Sequence, residues 1–231
     1  MSAIFPLLLF VIFAGCVAFL YTEGTWGNAI RLINVVTAGL LATNYWEPVA
    51  RALQGMNDTF TYYWDFLALW GLFTVFMIIF RVATNTLSRV KVKFLKVADA
   101  AGSVFFAVWV GWVMVCFTTF TMHTAPLARN FMWGGFDPQA RMFMGLAPDR
   151  QWLGFTMRMS RGPFCRSASD EELQQGRYGH EANPTDPDEK LCVFDRSAEF
   201  LPKYATRRAN LEKNATDNKA SRVTSGSTPK R

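Results

Sequence analysis

Phe60–Phe80, FTYYWDFLALWGLFTVFMIIF, and Ala101–Thr121, AGSVFFAVWVGWVMVCFTTFT, are two apolar runs of 21 residues whose reading decides the fold. The only charge in either is Asp65. A bilayer core about 30 Å thick is crossed by roughly 20 helical residues, so each run is long enough to span. Between them stands RVATNTLSRVKVKFLKVAD, with Arg81, Arg89, Lys91, Lys93 and Lys96 against a single acid, Asp99. Short loops rich in Lys and Arg stay on the cytoplasmic side. The pair therefore reads as a membrane hairpin with its basic loop inside.

Working outward from the hairpin, Ala3–Tyr21 is a further uncharged run. It lacks the basic start and the small-residue cleavage site of a signal peptide, so it reads as a first membrane helix. Gly27–Tyr45 is the weakest run because Arg31 lies one turn inside it. A long arginine near a helix end can reach the interface, which lets the segment span if Arg31 sits at the first loop. Trp26 and the pair Tyr45–Trp46 bracket this run as interface anchors. Glu47-Pro48 is expected to end it, since a residue before proline is pushed out of the helical region. Four spans with the third loop inside place both termini outside, and with them everything after residue 122.

The two halves differ in composition. From His123 onward the chain holds 17 of its 24 basic and 13 of its 18 acidic residues. The net charge of +6 thus averages two environments, and no basic run is interleaved with aromatics as a nucleic-acid surface would be. The expected fold class is an all-α membrane protein: a four-helix membrane domain over 1–122, an amphipathic and loop-rich extracytoplasmic region over 123–213, and a disordered Ser/Thr/Lys-rich tail over 214–231. Asp137-Pro138 and Pro148-Asp149 are expected helix starts, proline being tolerated in a first turn. From Pro148 aromatic and methionine residues alternate with arginines, which suits a helix at the lipid headgroups or one packed on the outside of the hairpin. Cys165 and Cys192 are the two cysteines outside the apolar runs and enclose a polar stretch. In a disulfide-permissive compartment they are expected to pair, contributing about 3 to 4 kcal/mol through loop closure.

No catalytic constellation is legible. His123 and His180 have no nucleophile patterned beside them, no glycine-rich phosphate loop occurs, and the cysteine spacings fit no metal site. No cofactor is implied. Asp65 follows Tyr62, Tyr63 and Trp64, which sets it at the outer interface, and Asp99 reads as a cap on the helix that follows it. Ser103, Ala107 and Gly111 recur every four positions, as do Ala38 and Ala42 on the second run and Ala14 and Ala18 on the first. Such small-residue faces let membrane helices approach closely, within the chain or with a second copy.

Two stretches carry a family resemblance. YTEGTWGNAIRLINVVTAGLLA is similar to a glycine-containing turn entering a second helix. FLKVADAAGSVFFAVWVGWVMV is similar to an Asp-x-x-Gly entry into a last helix, here Asp99 and Gly102. Over roughly residues 1–122 the chain resembles the colicin V production (CvpA) family of bacterial membrane proteins. The resemblance implies a multi-pass inner-membrane protein connected with toxin production and envelope upkeep, with no established reaction. The expected partners are membrane lipid, a second copy or other envelope proteins, and no nucleic acid. A small transporter or channel subunit is the alternative. It would need polar residues along a path inside the helices, where the last run offers only Ser103, Cys116 and threonines.

Overall fold

The structure is a computed structural model that describes residues 4–56, 61–87, 95–127, 136, 141, 143, 145–167, 180–182 and 191–225. Its described part is mostly helical. Helix α1 runs Ile4–Leu20, α2 Thr25–Met56, α3 Thr61–Leu87, α4 Lys96–Thr124, α5 Pro148–Ser160 and α6 Phe200–Ser225. Within α3 and α4, Tyr62–Leu87 and Lys96–Thr124 are long and apolar enough to cross a membrane. Helix α1 is 17 residues, and the 32-residue α2 carries Arg31, Glu47 and Arg51. Many apolar side chains on α1, α3 and α4 face outward, among them Leu7, Val11, Ile78, Ile79 and Phe105. A soluble domain would bury such a belt; a bilayer solvates it.

Helices α1, α2 and α3 all touch α4, and α2 also packs along α3. The centre of the packing is Phe117 on α4. Its ring stacks on Phe73 of α3 at 4.6 Å between centroids and meets Trp70 and Trp152 edge-on at 5.6 and 5.5 Å. Phe120, one turn further, stacks on Phe200 of α6 at 5.1 Å. Edge-to-face and offset contacts of this kind add to the burial of the rings themselves.

The face made by Ser103, Ala107 and Gly111 is buried. A β-carbon on Gly111 would stand 3.1 Å from the ring of Phe13 and 3.3 Å from its carbonyl oxygen, so α1 crosses α4 at that residue. Gly111→Leu and Ala107→Leu are expected to destabilise by about 1–3 kcal/mol through overpacking. Val108→Leu, on the outward face of the same helix, should be near neutral. Thermal unfolding of the purified variants in detergent measures the difference; equal losses at all three positions would contradict a close α1–α4 crossing.

Four expectations need correction. Helix α2 does not end at Glu47-Pro48 but continues through Pro48 to Met56. Proline removes one backbone donor, yet Trp46, Glu47 and Ala50 around it are buried against other segments, and that packing holds the helical course. Trp46 is accordingly no lipid anchor: it is fully buried, its ring 6.4 Å from that of Tyr204. The all-α class also misses a small antiparallel sheet, ordered β1–β3–β2, from Arg166–Ser167, Leu191–Phe194 and His180–Ala182. Finally, the stretch after 213 is helical as far as Ser225 rather than disordered. Its side chains at 213–217 are exposed; the helix propagates from a packed first half, where each further residue adds a bond without a new nucleation cost. Asp195 opens that helix by accepting the Phe200 N–H at 2.8 Å.

Helix α5 begins at Pro148, as its proline indicates; Asp137-Pro138 lies outside the described residues. Of its two expected placements, the described one is packing on the helices. Trp152, Leu153, Thr156 and Ser160 are buried, with Trp152 against Gly39 and its indole N–H donating to Thr43 Oγ1 at 3.3 Å.

Candidate functional site

Polar side chains gather at the two ends of the helix bundle. At one end, loop one between α1 and α2 is locked by the first turns of α4. The Thr25 N–H, at the start of α2, donates to Asp99 Oδ1 at 2.9 Å, and the Thr25 hydroxyl donates to the Asp99 carbonyl at 2.7 Å. Asp99 thus caps α2, not its own helix: α4 already starts at Lys96, three residues earlier. The positive end of α2 favours that carboxylate. Gly102 allows the approach, since a β-carbon there would stand 2.5 Å from Thr25 Oγ1 and 2.7 Å from its methyl. Gly24 makes the turn with φ of 83°, a conformation natural to glycine.

One turn deeper, Asn28 is fully buried and donates to the Leu20 carbonyl at 2.8 Å and to Ser103 Oγ at 3.0 Å. The Ser103 hydroxyl donates to the Tyr21 carbonyl at 3.0 Å. The Leu20 carbonyl at the end of α1 is thus satisfied by Asn28 of α2, the Tyr21 carbonyl just beyond it by Ser103 of α4, and the first N–H of α2 by Asp99 of α4, groups that a helix end otherwise leaves open. Arg31 reaches back to this end and pairs with Glu23 at 2.6 Å. The family-type residues Asp99 and Gly102 and the first small-face residue Ser103 form a single joint, with Thr25 and Asn28 as partners that the sequence reading did not single out.

At the loop-two end, three pairs fasten the segments after residue 122 to the helices. Glu47 of α2, 1% exposed at its side chain, pairs with Arg166 of β1 at 3.1 Å, with Arg51 at 4.0 Å. Asp65 of α3 is fully buried and pairs with Arg207 of α6, while the Tyr204 hydroxyl donates to it at 3.2 Å. Burial pushes the Tyr204 hydroxyl well above its ordinary value, which keeps it a donor. The Arg207 guanidinium also lies 5.2 Å from the Tyr62 ring centroid. His123 and Asp149, both without exposure, meet at 3.0 Å between Nε2 and Oδ2. Weaker neutral contacts reinforce the fastening: Asn44 donates to the Phe164 carbonyl at 2.9 Å, and the Phe194 N–H donates to Ser160 Oγ at 3.0 Å.

Asp65 is thus a buried ion-pair member rather than an interfacial side chain, and His123 is fully buried as well. The partners stand 142, 119 and 26 residues apart in sequence. No local spacing announces them; the signal present in the sequence is an acid inside an apolar helix, which demands a cation from elsewhere. Cys165 is exposed, and the antiparallel register sets Arg166 opposite Cys192. The Cys192 side chain, and with it the expected bridge, lies outside the described residues. His180 begins β2, paired with Phe194, and its side chain is likewise outside them.

Among the described residues no three His, Cys, Asp or Glu side chains converge as metal ligands. The His123–Asp149 pair has the form of a base and its orienting acid. The small pocket beside it is lined by Tyr62, Thr124, Tyr204, Arg207 and Arg208 among others. The chemistry this arrangement supports is attachment: charged groups removed from solvent and bound to one another across long sequence distances.

A family model described as colicin V production protein matches residues 5–135. No curated protein and no solved structure matches the chain.

Proposed function

The chain belongs to the colicin V production protein family, and on that premise we propose that it is a non-enzymatic component of the bacterial inner membrane. It acts through protein and lipid contacts in the production or export of a colicin V-type toxin and in upkeep of the envelope. In this reading α1 to α4 all span, the basic third loop is cytoplasmic, and both termini are extracytoplasmic. Helix α1 at 17 residues is about 25 Å long and crosses a thin or locally thinned core; α2 at 32 residues crosses with length to spare.

The observation that carries the proposal is where the buried charges go. Glu47, Asp65 and His123 each join a membrane helix to a segment beyond residue 140, at the end opposite the basic loop. The result is a fixed extracytoplasmic platform on four helices, a shape suited to holding another envelope component. In a strain that makes a colicin V-type toxin, removing this chain should lower toxin release several-fold, and supplying it again should restore release. Release unchanged by its removal would contradict the proposal.

A further inference from the structure

Between α2, α4 and α5 lies an apolar groove with a volume of about 300 Å³, walled by Leu32, Val36, Trp109, Val113 and Phe155. We propose that this groove holds one hydrocarbon chain of an anionic phospholipid whose phosphate is bound at Arg158. The inference rests on the reading of the chain as a membrane protein and names the lipid contact that reading requires.

Depth selects the occupant's tail. Cys116 and Trp109, which bound the groove along α4, stand eight and fifteen residues before Thr124. At 1.5 Å per residue that is roughly 12 to 22 Å inside the helix end, within a core about 30 Å thick. What surrounds the groove at that depth is acyl chain, and none of the residues lining it is charged. Trp112 and Gln151 also line it, with their polar groups bonded: the indole N–H donates to Gln151 Oε1 at 3.1 Å, and Gln151 Nε2 donates to the Leu146 carbonyl at 2.8 Å.

Charge selects the head. Helix α5 forms one wall of the groove through Gln151, Trp152 and Phe155, with Trp152 also against Gly39 and Phe117. Phe155 faces the groove, and Arg158 follows it by three residues, so the two side chains share a face of α5. Arg158 is exposed and has no hydrogen bond or ion pair among the described residues. Arginine stems lie along apolar surface while the guanidinium stays at the headgroup layer. A phosphate diester is the anion that arrives there already attached to a chain of the groove's character. A lipid of net negative charge gains from this contact; in a zwitterionic one the headgroup cation offsets it.

The test is native mass spectrometry of the full chain released from detergent micelles containing equal phosphatidylglycerol and phosphatidylcholine. The chain should retain one phosphatidylglycerol, with a preference of about fivefold over phosphatidylcholine, the scale of one basic residue near an anionic surface. Val36→Trp, which fills the groove, should abolish retention of both lipids. Arg158→Gln, on an exposed position that leaves the fold intact, should keep a bound lipid and lose the preference, whereas Arg161→Gln should keep both. Retention of no lipid by the unaltered chain would overturn the proposal. So would an undiminished preference in Arg158→Gln, an equal loss in Arg161→Gln, or a lipid-free dimer, which would put a second copy in the groove. A chain that remains in solution without detergent would instead refute the membrane reading beneath it.

Discussion

Arg207→Met is expected to destabilise the folded chain by about 3 to 5 kcal/mol, the cost of leaving a buried charge without its partner. Asp65 has no exposure, and without Arg207 only the Tyr204 hydroxyl would remain on one of its oxygens; the other, Oδ1, already has no partner among the described residues. The loss is specific to the pair. Asp65→Asn combined with Arg207→Met removes both charges and should recover most of the stability, because a neutral pair carries no uncompensated charge. The readout is the fraction of monodisperse protein left after heating in detergent. If the double variant is as unstable as the two single losses added together, the two residues are not coupled and the fastening of α6 fails as an explanation. Arg208 is a suitable control, since its guanidinium lies 5.2 Å from the Phe136 ring and the acid whose charge acts on it is Glu212 of its own helix.

The second large effect is at the loop-one joint. Gly102→Ala places a methyl within 2.5 to 2.7 Å of the Thr25 side chain, distances at which something must move. Either α2 shifts off Asp99, losing its cap and the Thr25 hydroxyl bond, or α4 bends. Overpacking alone costs about 1–3 kcal/mol, and the lost cap about 1 kcal/mol more. Thr25→Ala removes the two clashing atoms at the cost of one hydrogen bond, so it should be mildly destabilising alone and should rescue Gly102→Ala when combined with it. Failure to rescue would mean that the crowding is not what makes glycine necessary at 102.

The hairpin was legible because charge is so sparse in 60–80 and 101–121 that a single physical criterion, length of uncharged helix, identifies them. The Asp99–Gly102 spacing was legible as a motif, but its role was not. A sequence shows what lies three or four residues away on the same helix, and so an aspartate near a helix start reads as that helix's cap; Thr25 lies 74 residues off. Pro48 misled for the complementary reason: its local rule is sound, but burial of Trp46 and Glu47 outweighs it. The attachments of Arg166, Arg207 and Asp149 were hidden because an ion pair across the fold leaves no periodic trace. Only the isolated acid, Asp65 or Glu47, hints that a distant cation exists. Helix α5 was legible as amphipathic, while its destination depended on the surfaces of α2 and α4 that receive Trp152.

The central claim is that the segments after residue 122 sit outside the cell membrane, on the end of the bundle opposite the basic loop. Fusing alkaline phosphatase, which is active only when exported, after Arg231 and separately at Lys93 measures this most directly. In the proposed topology the third loop, with five basic residues from Arg81 to Lys96, lies inside, so the fusion at Lys93 should be inactive and the fusion after Arg231 active. The reverse pattern, or activity at both positions, would contradict the account.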